Sequence, residues 1–371
     1  MLPRAVLSTG SLVLRAPEEA DVEAMTATCG DPVTARFLPV LPTPYTEQDA
    51  RDHLAVAART WEEGGAEFTV AENGAYAGAV RVSPPDRWGA VEIGYLVAPW
   101  ARGKGVATAA VRAVTQWLFD QGVHRVELKA EVENLSSLRV ALKAGFREEG
   151  RLRDARETRD GRLTDLVLFG RLALDAGEEA PSYLPPFEGG ELTDGVVRLT
   201  PMEVGDARDF QRMMAEASTV VYAVGPVATL EEIERRCRNT GYWWVTGQRI
   251  ELAIRDAASG AFAGHVQLMQ VTPVMGQAMV GYSLLEEFRG RGLMTRSVRL
   301  LVDWAFAHTP LHRVTAGTNA ANEASHAVLR RAGFEKECVH RELFLTRDGT
   351  RADDVHWVRL RSRPASPALA R

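Results

Sequence analysis

Two glycine-rich turns carry the sharpest chemical signal in the sequence. The segments RGKGVAT (102–108) and RGRGLMT (289–295) each stand between an apolar strand pattern and a helix pattern. Glycine adopts the positive φ angles of a tight turn and lets backbone N–H groups approach an anion, while basic residues and a helix N-terminus add positive potential. Both turns are therefore predicted to bind phosphate. The alternative is a plain strand-to-helix connection, which the repetition of the turn in one context disfavours.

The turns lack the patterns of two better-known phosphate sites. Neither contains G-x-x-x-x-G-K-[ST], the loop of nucleotide-hydrolysing enzymes, and neither contains G-x-G-x-x-G, the dinucleotide fingerprint. The predicted ligand is therefore neither ATP nor a dinucleotide.

An internal duplication places the two turns at equivalent points of the chain. Residues 102–119 align without gaps with 289–306, and 124–146 overlay 312–334 after one inserted residue. Each copy is domain-sized rather than a short solenoid repeat. The boundaries predict an N-terminal domain, a Pro-, Gly- and acid-rich linker, a C-terminal domain and a frayed tail: 1–175, 176–190, 191–364 and 365–371.

Hydrophobic periodicity gives the elements that position each turn. Strand and helix patterns alternate, so the fold class is α/β (α+β), present twice, with a mixed sheet flanked by helices. The helix after the first turn has one apolar face, formed by Val106, Ala110, Val114, Trp117 and Leu118. In the first copy the predicted helices are 18–30, 46–61, the segment from 106 and 136–145, and the predicted strands are 66–72, 75–83, 91–97, 126–132 and 163–172.

Composition excludes several classes of function. The 371 residues carry a formal charge of −5, which argues against nucleic acid as a partner. Three cysteines without a C-x-x-C pair fit neither a disulfide framework nor a structural zinc site, and the eight histidines show no metal-ligand spacing, so no metal is expected. No apolar run is long enough for a membrane helix, and we expect a cytoplasmic protein.

The motifs around the first turn resemble a known family. R-x-x-G-x-A at Arg102, Gly105 and Ala107, preceded by EIGYLV and followed by N-x-x-S and AGF, is similar to the acyl-CoA binding signature of the GNAT N-acetyltransferase superfamily. The segments LRAP, EIGY and NLSSLRVALKAGFREEG are most similar to the branch that acetylates the N-terminal alanine of ribosomal proteins. The resemblance covers nearly all of both copies.

The resemblance implies a fold and an activity. Two central strands of each mixed sheet splay apart to admit the pantetheine arm of acetyl-CoA, and the diphosphate lies on the glycine-rich turn. The implied function is transfer of an acetyl group to a primary amine, either a peptide or protein N-terminus or an amine-bearing small molecule such as an antibiotic. The alternative is a non-catalytic acyl-CoA-binding or scaffold protein.

The resemblance also assigns cofactor-binding residues. Backbone N–H groups of the turns hold the diphosphate, Leu96 and Val97 pair with pantetheine through their backbone, and Asn134 contacts it. The alternative for N-x-x-S is a helix cap, which is compatible with cofactor contact. The predicted set is Leu96, Val97, Arg102, Gly103, Lys104, Gly105, Val106, Ala107, Thr108, Asn134 and Ser137 in the first copy, and Arg289, Gly290, Arg291, Gly292, Leu293, Met294, Thr295, Asn322 and Ser325 in the second.

Acetyl transfer to an amine needs a group that removes a proton, because only the neutral amine attacks a thioester. Glu92 is the candidate base, since it interrupts an apolar strand just before the turn, and we expect it to be buried. The alternative is a solvated sheet face. Ser137 or Tyr95 is expected to protonate the departing thiolate. The second copy has Met279 in place of Glu92, so the first copy is expected to carry the main activity.

The duplication also suggests an assembly. We expect a monomer in which the two copies pair as a pseudo-two-fold dimer, the alternative being two independent domains on a flexible linker.

Overall fold

The computed structural model describes residues 2–179, 182–222, 226–346 and 349–362. The chain forms two compact units, Met1–Pro181 and Ser182–Arg371, here called the first and the second unit. Each unit is a mixed sheet flanked by helices, which confirms the predicted fold class. Within the described ranges no helix is long and apolar enough to cross a membrane. The predicted tail at 365–371 lies outside the described residues.

The first unit contains eight strands and five helices within its described residues. The strands are β1 Leu7–Thr9, β2 Leu12–Arg15, β3 Ala66–Glu72, β4 Ala75–Val82, β5 Val91–Val97, β6 Arg125–Glu131, β7 Arg147–Glu157 and β8 Leu163–Leu172. The helices are α1 Val22–Cys29, α2 Pro32–Phe37, α3 Glu47–Glu62, α4 Val106–Asp120 and α5 Leu135–Lys143.

The second unit repeats this order. Its strands are β9 Leu192–Thr193, β10 Val197–Pro201, β11 Ile250–Asp256, β12 Phe262–Thr272, β13 Gln277–Leu284, β14 Arg313–Asn319, β15 Glu335–Leu345 and β16 Arg351–Leu360. Its helices are α6 Ala207–Ala215, α7 Ala217–Val220, α8 Leu230–Val245, α9 Leu293–His308 and α10 Glu323–Arg331.

One parallel strand pair interrupts each otherwise antiparallel sheet. The strand order is β1-β2-β3-β4-β5-β6-β8-β7 in the first unit and β15-β16-β14-β13-β12-β11-β10-β9 in the second. The parallel pairs are β5 with β6 and β13 with β14. A parallel connection needs a crossover, and helices α4 and α9 provide it in the two units.

The apolar face predicted for α4 forms part of the first core. Val106, Ala110, Val114, Trp117 and Leu118 are all buried. The Trp117 ring packs edge-on against Phe68 of β3, with 5.4 Å between ring centroids. Burial of this face anchors the helix whose first turn follows the glycine-rich segment.

Four elements of the first unit escape the periodicity analysis: the short strands β1 and β2, strand β7 and helix α2. Strand β7 is a mostly exposed edge strand, so it lacks the alternation that marks a half-buried strand. Helix α2 is only six residues long, and the Asp31 side chain caps it by accepting a hydrogen bond from the Thr34 N–H.

The predicted linker over 176–190 is wrong in its second half. Leu184 and Phe187 are buried in the core of the second unit. The Phe187 ring lies 4.7 Å from the Trp244 ring and 4.8 Å from the Trp304 ring, measured between centroids. Apolar side chains in this Pro- and Gly-rich segment therefore attach it to the second unit.

The second unit also contains a buried carboxylate. Glu251 of β11 has a fully buried side chain, with Arg236 Nε at 2.7 Å and Arg249 Nη1 at 2.8 Å. Burial by itself raises the pKa of a carboxyl group, but the nearby His265, at 3.5 Å, and the hydrogen-bonded Arg236 outweigh it and lower the pKa of Glu251 to about 2. Arginines on both oxygens make this carboxylate part of the framework of the second sheet.

Candidate active site

Both glycine-rich turns have the backbone geometry of an anion site. The φ angles are +75° at Gly103, +80° at Gly105, +74° at Gly290 and +76° at Gly292. Gly105 and Gly292 are the N-caps of α4 and α9, and neither helix start has a side-chain cap. A Cβ built on any of the four glycines meets nothing within 4 Å. The first N–H groups of each helix thus face open space that an anion can fill.

The first arginine of each turn has side-chain partners on a neighbouring helix. The Arg102 guanidinium pairs with Asp31 and donates to Thr34 Oγ1 at 2.8 Å. Arg289 donates to Ser218 Oγ at 2.7 Å and lies 3.5 Å from Glu216. These contacts fasten each turn to the neighbouring short helix, and cofactor binding by the two arginines stays a prediction.

The second basic residue of each turn differs between the units. Lys104 is exposed beside Gly105. Arg291, its equivalent, forms an ion pair with Asp256 and lies over the Phe288 ring. The first turn therefore presents an exposed cation, whereas the cation of the second turn is held by a carboxylate.

The parallel strands separate soon after they begin to pair. Strand β5 pairs with β6 at Val91 and Glu92, while it stays hydrogen-bonded to β4 from Ile93 to Val97. Strand β13 likewise pairs with β14 only over Gln277–Met279 among the described residues. The edge of β5 that faces β6 beyond Glu92 is consequently available to an extended ligand, and the pantetheine pairing of Leu96 and Val97 stays a prediction.

The N-x-x-S segments form helix caps in both units. Asn134 Oδ1 accepts a hydrogen bond from the Ser137 N–H at 3.1 Å, and Asn322 Oδ1 accepts one from the Ser325 N–H at 3.1 Å. The cap uses the side-chain oxygen, so the amide NH₂ of each asparagine remains a donor that the cap does not require. Cofactor contact by Asn134 stays a prediction.

A tyrosine and a serine meet beside each cleft. Tyr95 OH lies 2.8 Å from Ser137 Oγ, and Tyr282 OH lies 2.7 Å from Ser325 Oγ. Burial raises the pKa of both phenols well above the ordinary value. The two residues named as alternative proton donors, Tyr95 and Ser137, therefore form one hydrogen-bonded pair.

Glu92 lies at the closed end of the splay, but it is not buried as expected. Its side chain is 42% exposed, and Lys129 Nζ of β6 lies 2.7 Å from its Oε2. It projects from the sheet face opposite to Tyr95, since alternate residues of a strand face opposite sides. The position is thus a half-exposed ion pair beside the cleft.

The second unit lacks this ion pair. Met279 replaces Glu92, and Gly317 stands where the first unit has Lys129. A Cβ built on Gly317 would lie 3.1 Å from Met279 Cε, so the two positions adjoin in the second unit as well. Met294, which replaces Ala107, is 6% exposed and packs into the second core.

A large cavity of about 1150 Å³ occupies the cleft of the second unit. It runs from the turn along β13 to the start of α10. Its lining includes the predicted residues Arg289, Gly290, Gly292, Leu293, Met294, Thr295, Asn322 and Ser325.

Sequence reasoning missed the arginines that line this cavity. Arg296, Arg299 and Arg331 all face it, together with Asp303. Residues 296, 299 and 303 follow Gly292 at the three- and four-residue spacing of one helix face, and that spacing is a signal that could have identified them. Guanidinium groups in the lining of a cleft suit the phosphates of a nucleotide-containing cofactor, although Arg296 Nη1 also lies 2.7 Å from Asp194 Oδ2.

Comparisons with known proteins agree with this geometry. Residues 11–147 and 197–335 both match the family model described as "Acetyltransferase (GNAT) domain". The chain is 31% identical over 164 residues to "Probable N-acetyltransferase YjcK" of Bacillus subtilis, covering 41% of this chain and 87% of that protein. It is 31% identical over 88 residues to spermidine N(1)-acetyltransferase of Escherichia coli K12, covering 23% of this chain and 47% of that protein.

The fold is also similar to solved structures. The ribosomal-protein-S5-alanine acetyltransferase of Vibrio fischeri aligns with a TM-score of 0.44 at 21% identity, covering 47% of this chain and 99% of that one.

Proposed function

This chain belongs to the GNAT acetyltransferase family and is an N-acetyltransferase, and from that premise we propose that it acetylates a peptide N-terminus or an amine-bearing small molecule, with acetyl-CoA as donor. Acetyl-CoA supplies the acetyl group as a thioester. The observation that carries the proposal is the repeated combination of an uncapped helix start, two positive-φ glycines and an open strand edge.

The donor-binding residues follow from this combination. N–H groups at the starts of α4 and α9 hold the diphosphate, because glycine at positions 105 and 292 leaves the approach free. The backbone of Leu96 and Val97 pairs with the pantetheine arm at the edge of β5. In the second unit Arg299 and Arg331 add charge at the cavity, whereas Arg296 pairs with Asp194.

We place the main catalytic centre in the first unit. A donor arm that starts at the turn and follows β5 brings its thioester end toward the closed end of the splay, where Glu92 lies. Glu92 accepts the proton of the attacking amine, either directly or through a water molecule, and Lys129 orients its carboxylate. The Tyr95–Ser137 pair lies on the other face of the strand and delivers a proton to the leaving thiolate.

The second unit has a different role in this scheme. It retains the turn, the Asn322 cap and the Tyr282–Ser325 pair but has Met279 and Gly317 in place of the ion pair. These differences favour acyl-CoA binding without efficient transfer in this unit. A wholly non-catalytic, scaffold function for the chain is the competing proposal.

Calorimetric titration of the full chain with acetyl-CoA, followed by a thiol-release assay, tests the proposal. The acceptor panel contains alanine-initiated peptides, spermidine and amine-bearing antibiotics, with an N-terminally blocked peptide that lacks lysine as the matched control. We expect binding and amine-dependent release of CoA. Binding without release on any amine would favour the scaffold function, and no binding would reject both.

A further inference from the structure

Two histidines and an aspartate lie together on one face of the hairpin formed by β15 and β16. His340 Nδ1 is 3.2 Å from Asp354 Oδ2, and His356 Nδ1 is 3.6 Å from the same oxygen. One ligand atom from each of the three residues lies within 4.8 Å of the others. His340 pairs directly with Asp354 across the hairpin, and His356 follows two residues later on the same face.

The cluster is specific to the second unit. Strands β7 and β8 form the equivalent hairpin in the first unit. In that hairpin Leu152 pairs with Leu166, at the positions where His340 pairs with Asp354 in the second unit. The first unit has leucine at all three equivalent positions: Leu152, Leu166 and Leu168. Three apolar residues on one face thus correspond to three side chains that can each ligate a metal.

The spacing of these atoms fits a tetrahedral shell. Zinc binds histidine nitrogen at about 2.0–2.1 Å and carboxylate oxygen at about 2.0–2.2 Å, so two ligand atoms of one tetrahedral ion lie about 3.4 Å apart. The separations of 3.2 and 3.6 Å bracket this value. The ligand atoms of the two histidines lie within 4.8 Å of each other, so side-chain rotation that draws the imidazoles together would place all three residues on one ion.

The charge of Asp354 favours a cation at this place. Its side chain is 3% exposed, and its Oδ1 is buried without a hydrogen-bond partner among the described residues. This carboxylate pairs with His340 and His356, which carry charge only when protonated. A buried carboxylate is costly without a compensating cation. The His340 side chain is 48% exposed, so solvent and ions reach the cluster.

Neighbouring groups fit a metal-binding arrangement. His340 Nε2 lies 3.4 Å from Cys338 Sγ, a contact on the second ring nitrogen that orients the ring with Nδ1 toward Asp354. Asp354 Oδ1 is 2.8 Å from a Cβ built on Gly317, which lines the cavity of the second unit. An ion held here would lie close to the wall of that cleft.

We propose that His340, Asp354 and His356 bind a divalent transition-metal ion of the Zn²⁺ class. Imidazole ligands favour such an ion over Mg²⁺ or Ca²⁺, which prefer oxygen. Three protein ligands leave a fourth position for water or an incoming group. The proposed site departs from the expectation that this chain binds no metal, because its histidines meet across a hairpin rather than at a short spacing in sequence.

Metal titration of the full chain, purified without a histidine tag, tests the site. We expect tetrahedral Co²⁺ absorption that saturates at about one ion per chain, displacement of Co²⁺ by Zn²⁺, and retention of about one zinc after dialysis. His340→Leu and His356→Leu place the residue of the first unit at each position. Each should weaken binding about 100-fold or more, because changing an outer-shell partner alone costs 10–100-fold.

Two further variants keep the test decisive. Asp354→Asn retains the shape of the side chain and should also abolish tight binding, whereas His308→Leu alters an exposed histidine of the same unit outside the cluster and should bind as the parent does. Matching thermal unfolding of all variants in chelator shows that the chain is folded. Parent-like binding by His340→Leu and His356→Leu, or no saturable binding by the parent chain, would overturn the proposal.

Discussion

Replacing Gly105 with Glu tests whether the first turn holds the diphosphate. The φ angle of +80° and the open space around a built Cβ mean that the new side chain introduces backbone strain but no clash. That strain costs about 1–2 kcal/mol of stability. The carboxylate lies at the N-terminus of α4, and two unit charges about 4 Å apart repel by about 4 kcal/mol at an effective dielectric constant near 20. Acetyl-CoA affinity at this site should therefore fall about 10³-fold.

Gly74→Glu is a matched control for this change. Gly74 has a φ of +85°, and a Cβ there also meets nothing within 4 Å, but it lies in the turn between β3 and β4. The two variants should lose similar stability in thermal unfolding. In calorimetric titration Gly74→Glu should bind about two acetyl-CoA molecules per chain, whereas Gly105→Glu should bind about one. Adding Gly292→Glu to the Gly105→Glu chain should abolish binding of the remaining molecule.

One outcome of the titration would contradict this assignment. That outcome is a folded Gly105→Glu variant that binds two equivalents of acetyl-CoA with affinities within about threefold of those of Gly74→Glu. The expected repulsion between the new carboxylate and the diphosphate would then be absent. The diphosphate would then lie away from the start of α4.

Three further predictions concern catalysis and stability. Glu92→Gln should lower kcat by about 10²–10⁴-fold with little change in the Kd of acetyl-CoA. The control variant Met279→Gln should leave kcat unchanged. Equal kcat values for the parent chain and Glu92→Gln would reject Glu92 as the base. Burial raises the pKa of the Tyr95 phenol above its ordinary 10.0, so kcat should not decline through phenol ionisation between pH 8 and 10, and a decline that Tyr95→Phe abolishes would contradict this. The pKa of the Glu251 carboxyl is lowered from 4.5 to about 2, so the stabilisation from its ionised form is present above pH 4.5 and is lost as pH falls toward 2. The difference in Tm between the parent chain and Glu251→Gln should therefore narrow from pH 7 to pH 3. A constant difference would refute this prediction.

Much of the fold follows from local sequence patterns. Strands β3, β5 and β8 begin and end at the predicted residues, because each is an apolar run that the sheet buries. Helix α3 begins at a capping box formed by Thr46 and Asp49, residue types that favour a helix start. The resemblance to the GNAT family is confirmed over both copies. Strand β7 was missed because a charged edge strand shows no periodicity, and pairing with β8 specifies it instead.

The site was less predictable where contacts join distant segments. The glycine turns are local, and their positive φ angles agree with the sequence. The side-chain partners are not local: Arg102 meets Asp31, Glu92 meets Lys129, and Tyr95 meets Ser137 across the fold. Such partners depend on strand order and register, which residue types alone do not specify.

The open edge of the sheet has a consequence for how the two units can diverge. A ligand held by main-chain N–H and C=O groups is insensitive to which side chains the strand carries. At equivalent points of β5 and β13 the first unit has Leu96 and Val97 where the second has Ser283 and Leu284, while their backbone pairing to β4 and β12 is the same. Substitutions of these side chains can thus alter the surface that contacts the acceptor without weakening the affinity for the donor. After a duplication of this fold, either copy can therefore change its acceptor specificity while it still binds the same donor.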